Sequence, residues 1–112
     1  GNLNQVFMNI LLNGIQSIKG KGNIWIKSEL KGSCISIVIK DDGIGMEKQE
    51  LNKIFDPFYT TKPVGEGTGL GLSISYGIIE NHGGSITVES KIDSGTAFTI
   101  NIPIDKGKSD EE

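Results

Sequence analysis

Three groups of residues in this 112-residue chain have types and spacings that could do chemistry. The first is Asp41-Asp42-Gly43-Ile44-Gly45-Met46, directly after an alternating apolar run from Ile35 to Ile39. An aspartate at a strand end can accept hydrogen bonds, and Gly43 and Gly45 let the backbone turn sharply and approach a ligand without Cβ obstruction. That arrangement suits recognition of one polar edge of a flat ligand, or else it is simply a strand ending in an Asp-Gly turn. The second group is a ladder of carboxamides, Gln5, Asn9, Asn13 and Gln16, with the spacing of one helix face. Amide carbonyls can coordinate a hard cation or hydrogen-bond phosphate-bound water, and they equally suit a polar boundary without charges. The third is the segment from Gly65 to Leu72, GEGTGLGL, just before and within the start of a predicted helix. Helix N-termini present free N–H groups and a positive dipole end, which make an anion site. Gly67, Gly69 and Gly71 would let those donors close on phosphate oxygens. The segment is not a dinucleotide fingerprint, because Leu72 stands where the third glycine is required, and it lacks the Gly-Lys-Ser/Thr of a P-loop.

The elements that must position these groups follow from periodicity. Leu3 to Ile18 predicts an amphipathic helix with Asn2 as its N-cap, and Leu3, Val6, Phe7, Ile10, Leu11, Ile15 and Ile18 form its apolar stripe. No charge occurs between Asn2 and Ile18, unlike an ordinary solvated face. Lys19-Gly20-Lys21-Gly22 ends the helix. Asn23 to Leu30 alternates as a strand, with Trp25 on the face opposite Ile24 and Ile26, and Lys31-Gly32-Ser33 makes a hairpin to the strand ending at Asp41. Glu47 to Phe55 reads as a short helix turning Leu51, Ile54 and Phe55 inward. From Asp56 to Thr68 the placement of Pro57, Pro63, Gly65 and Gly67 forbids regular structure, giving a long mobile loop. A helix over 70–81 follows, with Leu70, Ile74, Gly77 and Ile78 on one stripe, and Gly83-Gly84 stops it. Strands Ser85 to Ser90 and Thr96 to Ile104 are joined at Asp93-Ser94-Gly95. Two hairpins with separate helices predict a two-layer α/β sandwich, its mixed, largely antiparallel sheet covered on one face by helices.

Bulk properties narrow the function classes. The length fits one domain, residues 1–105, followed by a charged tail over 106–112 that reads as disordered. Eleven basic and fourteen acidic residues leave a formal charge of −3, which argues against nucleic-acid binding. The single cysteine, Cys34, cannot form an internal disulfide and reads as a small apolar strand residue. No apolar run approaches a membrane span, so direct membrane insertion of this domain is not expected.

An acid ending a strand, a helix with uncharged amides and a glycine loop entering a helix could together hold a base, a metal and a triphosphate. At this point the chain resembles a known family. It is similar to the ATP-binding catalytic domain of sensor histidine kinases, within the wider group shared with gyrase, the Hsp90 chaperones and the MutL repair proteins. NQVFMNILLNGIQSI resembles the family's N box, DDGIGM its first glycine box, IFDPFYTTK its F box and GTGLGL its second glycine box, in that order over nearly the whole chain. Gly95-Thr96-Ala97-Phe98 resembles the terminal strand.

The resemblance implies roles. Asp41 would accept a hydrogen bond from the adenine amino group, with Thr96 supporting that edge through water and Gly43, Gly45, Met46 and Ile54 shaping the base pocket. Asn13 would coordinate Mg²⁺, with Asn9 close to metal and phosphates. Gly67, Gly69 and Gly71 would wrap the phosphates as a lid, beside Thr68, Leu70 and Leu72 of the same box, and Lys62 would contact phosphate. Gln16 stands where some relatives carry a phosphate-facing lysine, and Gly14 replaces the usual alanine, a change that weakens a helix interior by up to about 1 kcal/mol. Asn9 stands where hydrolysing relatives carry a glutamate, and an amide cannot take a proton to activate water. The resemblance therefore implies a cytoplasmic phosphoryl-donor module: it binds Mg-ATP and passes the γ-phosphoryl group to a histidine on a separate dimerisation domain of the same kinase. A response regulator acts downstream, and the parent protein is free to be membrane-anchored. Two other readings stand beside it: a hydrolysing ATPase of the wider group, and an interaction module that no longer binds nucleotide. The one histidine, His82, ends the second helix and reads as structural. The phosphoacceptor hairpin is thus expected elsewhere, and no acid, base or phosphoacceptor in this stretch is expected to be catalytic. Whatever the family, a carboxylate only accepts hydrogen bonds, so Asp41 facing a base predicts ATP over GTP by at least about tenfold.

Overall fold

The computed structural model describes residues 2–56 and 71–104. Residues 57–70 and 105–112 lie outside the described residues, and with them all but Asp56 of the loop expected over 56–68, the tail expected over 106–112, and the site residues Lys62, Gly67, Thr68, Gly69 and Leu70. The elements run α1 (Asn2–Ser17), β1 (Ile24–Lys31), β2 (Cys34–Asp41), α2 (Lys48–Leu51), α3 (Gly71–Asn81), β3 (Ser85–Lys91) and β4 (Gly95–Pro103). The strands form one sheet in the order β1-β2-β4-β3, every neighbouring pair antiparallel. The expected α/β sandwich is therefore present, and its sheet is antiparallel throughout the described residues rather than mixed.

The core lies between this sheet and the two long helices. Val6, Ile10, Ile39, Ile54, Ile79, Ile86, Phe98 and Ile100 are buried there. Each contributes roughly 1.5–3 kcal/mol of side-chain burial. Phe55 extends the core sideways, its ring 5.1 Å from Tyr76 and 6.4 Å from Phe98.

Two periodicity readings shift when packing is added. In α3 the wholly buried residues are Ser75 and Ile79, while Ile74 is 40 % exposed. The buried stripe is thus rotated by one residue from the expected one, because α3 packs against α1 through polar bonds at its first turn as well as through apolar contacts. In α1, Ile15 is 58 % exposed. The face turned to the sheet at that turn is carried by Gly14, whose missing Cβ would lie 3.4 Å from both Asp41 Oδ2 and Ile24 Cδ1. Ile15, one residue on, points past it. The helix already includes Asn2, placed as a cap by sequence, and α2 is itself only one turn, Lys48–Leu51, shorter than the expected 47–55.

Register decides what sits under α1. Asp41 pairs with Ile24 on one side and Thr96 on the other, and Thr96 pairs with Ser90. The next row on the same face is Ile26, Ile39, Phe98 and Val88. Apart from Ser28 on the edge strand β1, the helix-facing side is thus apolar until its last row, where Asp41, Thr96 and Ser90 lie abreast. On the outer face Trp25 pairs with Lys40, whose ammonium is 5.9 Å from the ring centroid. Trp25 is half exposed, as a partly covered sheet-face residue.

Candidate functional site

The polar row is fully organised, with Asp41 and Thr96 buried and Ser90 half-buried. Asp41 is 3 % exposed, and the hydrogen bonds it receives from the described residues fall on Oδ1, 2.8 Å from the Gly43 N–H and 3.2 Å from Ser17 Oγ. Oδ2 is turned toward the space that the absent Gly14 side chain leaves. The carboxylate is therefore clamped by one oxygen and presents the other.

Ser17, the last residue of α1, joins the helix to the strand-end loop. Its one hydroxyl proton is shared between Asp41 Oδ1 and the Gly14 carbonyl oxygen, the latter at 2.9 Å, and its own carbonyl accepts the Ile44 N–H at 3.0 Å. A Cβ on Gly43 would collide with Ser17 Oγ, so Gly43 is required by close approach. Gly45 (φ 72°) and Gly95 (φ 95°) hold left-handed backbone against the Lys91 and Asp41 carbonyls respectively, where a side chain would be both strained and blocked. Asp93 N–H closes the loop on the Ile44 carbonyl at 2.8 Å. Asp42 points the other way and caps the start of β1: Asn23 N–H and Nδ2 donate to it at 2.8 and 3.2 Å. The Asn23 backbone N–H is the main cause that lowers the Asp42 pKa from its ordinary value.

Thr96, also 3 % exposed, is held by Ser90: the two hydroxyl oxygens are 2.8 Å apart. Ser90 Oγ donates to the Gly95 carbonyl at 2.9 Å and accepts the Met46 N–H at 2.8 Å. Residues from β3, β4 and the 41–46 loop thus meet at one serine.

A cleft of about 940 Å³ opens over the end of α1, lined by Asn13, Gln16, Gly45, Met46, Glu50 and Thr96 together with Ile15, Ser17, Ile18, Lys19, Ile44, Glu47, Ile92 and Asp93. Of the expected site residues it brings together Asn13, Gln16, Gly45, Met46 and Thr96. Asp41 and Gly43 do not line it; they lie beside Thr96, below its surface. Ile54 is 4 % exposed and belongs to the core, and Leu72 packs partly buried against that core. Asn9 is placed differently again. Its Nδ2 donates to the Gly71 carbonyl at 3.1 Å and to Ser75 Oγ at 3.2 Å, while Ser75 Oγ donates to the same carbonyl at 2.9 Å. Asn9 therefore ties α1 to the first turn of α3, where the glycine segment enters that helix. The ladder is thus split between Asn13 and Gln16 at the cleft and Asn9 at the helix junction.

His82 closes α3. Its Nδ1 lies 2.9 Å from the Ile78 carbonyl, and the helix ends in a Schellman motif, Gly84 N–H to Ile79 O at 3.0 Å and Gly83 N–H to Glu80 O at 2.9 Å. That is a capping role, and His82 does not line the cleft.

Sequence reasoning missed Ser17, Ser75 and Ser90. Ser90 alone had a signal in the expected periodicity, since it continues the Ile86, Val88 alternation; Ser75 and Ser17 lie off the expected helix stripes.

This arrangement belongs to a recognisable class. Residues 1–106 match the family described as histidine kinase-, DNA gyrase B- and HSP90-like ATPase, and the chain belongs to that family. It is 48 % identical over 103 residues to sporulation kinase E of Bacillus subtilis, covering 91 % of this chain and 14 % of that protein. It is 39 % identical over 110 residues to the sensor histidine kinase ZraS of Escherichia coli strain K12, covering 98 % of this chain and 23 % of that protein. The chain thus spans less than a quarter of the length of these relatives. Among solved structures, the catalytic domain of histidine kinase ThkA superposes with a TM-score of 0.80 at 38 % identity, covering 91 % of this chain and 66 % of that one. The mycobacterial sensor histidine kinase MprB superposes with a TM-score of 0.81 at 28 % identity, over 91 % and 70 %.

Proposed function

We propose that this domain binds Mg-ATP and donates its γ-phosphoryl group to a histidine on a separate dimerisation domain of its parent kinase, ahead of a response regulator in two-component signalling. One observation carries the reading: Asp41 is clamped through Oδ1 with Oδ2 presented, beside Thr96 at the edge of a cleft whose helical wall bears Asn13. A carboxylate oxygen held in this way suits the exocyclic amino group of adenine, and Gly45 and Met46 give the base an edge and an apolar side. The relatives named as sensor histidine kinases support the reaction class.

Asn13 offers an amide oxygen in the cleft, the donor type Mg²⁺ takes while keeping waters and phosphate oxygens as its other ligands. Among the described residues no group of three His, Cys, Asp or Glu side chains comes together, which suits an ion carried by the nucleotide rather than a protein-built cage. Bound there, Mg²⁺ would neutralise phosphate charge, and the domain would contribute mostly positioning. Gln16 lines the same wall. In the glycine box, Gly71 stands at the start of α3, where free N–H groups favour phosphate; Gly67, Thr68, Gly69, Leu70 and Lys62 are assigned to the phosphates on the motif alone, with Leu72 behind them.

Transfer to histidine is favoured over hydrolysis by Asn9. Its NH₂ is committed to Gly71 and Ser75, and an amide has no basicity with which to activate water. No helix among the described residues is long and apolar enough to cross a membrane, and we place this domain in the cytoplasm. The test is to mix the domain with labelled ATP, Mg²⁺ and the parent's histidine-bearing hairpin. Acid-labile labelling of the hairpin is expected; rapid phosphate release by the domain alone would favour the ATPase, and absence of nucleotide binding would favour an interaction module.

A further inference from the structure

The Ser90 hydroxyl has one proton and three neighbours. The Gly95 carbonyl can only accept, so the 2.9 Å bond to it uses the Ser90 proton. The Met46 N–H can only donate, at 2.8 Å to Ser90 Oγ. The 2.8 Å contact between Ser90 and Thr96 must then be donated by Thr96, because Ser90 has no second proton to give. Every group in the chain has one direction, set at its ends by two backbone groups. Thr96 Oγ1, with its proton spent on Ser90, presents only lone pairs toward the cleft that Thr96 lines. Its ladder neighbour Asp41 presents a carboxylate oxygen, also an acceptor. The two side chains abreast at the base end are therefore both acceptors, and one of them is an acceptor only because of a residue outside the cleft.

We infer that Ser90 is a positioning residue for base selection: by holding the Thr96 proton it makes the base end acceptor-only, so that a purine with an amino group at position 6 is taken and one with a carbonyl there is refused. The inference rests on the reading of the cleft as a nucleotide site and adds to it a source of selectivity apart from Asp41. In the wild type a 6-oxo purine meets acceptors from both residues. With Ser90 replaced by alanine, the Thr96 hydroxyl loses its fixed partner and can turn its proton toward the ligand, giving a 6-oxo base the donor it lacks. Selectivity then falls mainly because the 6-oxo nucleotide gains.

ATP and ITP differ at position 6 and in the proton on N1, and not at position 2, so their dissociation constants with Mg²⁺, measured by calorimetry, compare this edge alone. The wild type is expected to favour ATP by at least about tenfold, and Ser90→Ala to reduce that ratio by at least about threefold through tighter ITP binding. The double variant Ser90→Ala with Thr96→Val should lose the ITP gain, since no hydroxyl remains to donate. Thermal melting of each variant accompanies the titrations, and the ratio of two ligands on one preparation is insensitive to loss of folded protein. If Ser90→Ala does not fold, Ser90→Cys, a weaker donor and acceptor of similar size, is expected to lower the ratio by a smaller factor. A folded Ser90 variant with the wild-type ratio, or an ITP gain that survives Thr96→Val, would overturn the inference while leaving the ATP site standing. A wild type that binds neither nucleotide would overturn both.

Discussion

Replacing Asp41 by asparagine tests the geometry of the base end with little cost to the fold. Both internal donors to Asp41, the Gly43 N–H at 2.8 Å and the Ser17 hydroxyl at 3.2 Å, bond Oδ1. An asparagine that keeps its oxygen in that place satisfies them as before and puts its NH₂ where Oδ2 was. The perturbation is thus confined to the presented atom, which changes from acceptor to donor. For ATP the loss is a hydrogen bond to a charged acceptor, about 1.5–3 kcal/mol, with two donors left facing each other in addition. That corresponds to about ten- to 150-fold weaker binding. A 6-oxo purine gains a donor at the same point, so ITP should bind Asp41→Asn more tightly than it binds the wild type, and the order of preference should invert. Calorimetry with Mg-ATP and Mg-ITP measures both, and the melting temperature of the unliganded variant should fall by no more than about 4 °C, the equivalent of one neutral hydrogen bond. Unchanged ATP affinity would refute the assignment of Oδ2 to the base. Collapse of the unliganded fold would show that the charge, and not the direction of the presented atom, is what this position requires.

Four further outcomes follow from the same structure. Gly14→Ala should raise stability by about 0.5–1 kcal/mol in urea unfolding, because glycine is a poor helix-interior residue and the added methyl would meet Asp41 Oδ2 and Ile24 at 3.4 Å, ordinary contact. Asn9→Ala should destabilise by about 1–3 kcal/mol through loss of the two bonds joining α1 to α3, and hydrogen exchange should rise first in the opening turn of α3. Gly45→Ala should cost more than either, since a side chain there is strained at φ 72° and runs into the Lys91 carbonyl; loss of the folded baseline in circular dichroism is the expected sign. The folded-state pKa of Asp42 is lowered by the Asn23 N–H, so its contribution is present above the ordinary carboxylate value and fades as pH falls from there to the folded value. Asp42→Asn should flatten that acid limb of stability, measured as unfolding free energy against pH.

How much of this is legible in the sequence depends on which physical rule carries the information. The strand at β2 was legible because alternation has a period of two and Asp41 ends it; the hairpin at Lys31-Gly32-Ser33 then fixes the register of β1. The row that matters needed one more step. Thr96 and Ser90 are 55 and 49 residues beyond Asp41, and only the β2–β4 and β4–β3 registers set the three abreast. Period-two reasoning could have marked Ser90 as a polar intruder on an apolar face, but not named its partner. Helices were harder, since a buried stripe can turn by one residue without breaking the pattern. In α3 the Asn9 amide draws Ser75 inward, and the stripe follows it to Ile79. The amide ladder looked like one surface because the residues are evenly spaced. A 16-residue helix, more than four turns, nonetheless crosses two environments, so Asn9 meets α3 while Asn13 and Gln16 meet the cleft.

The carboxylate itself was found by its position, but what makes it selective is the company it keeps. Oδ1 is held by a serine at the end of α1 and by a backbone N–H in the loop it begins; the neighbouring hydroxyl is turned away by a serine on the far edge strand. Three elements separated in sequence therefore set the polarity of two atoms. An exposed aspartate at a strand end would accept from any donor, water included, and could not distinguish one purine from another by more than solvent competition allows. Burial to 3 % exposure, with its protein donors on Oδ1, is what turns a general acceptor into one that reads a single position on a base.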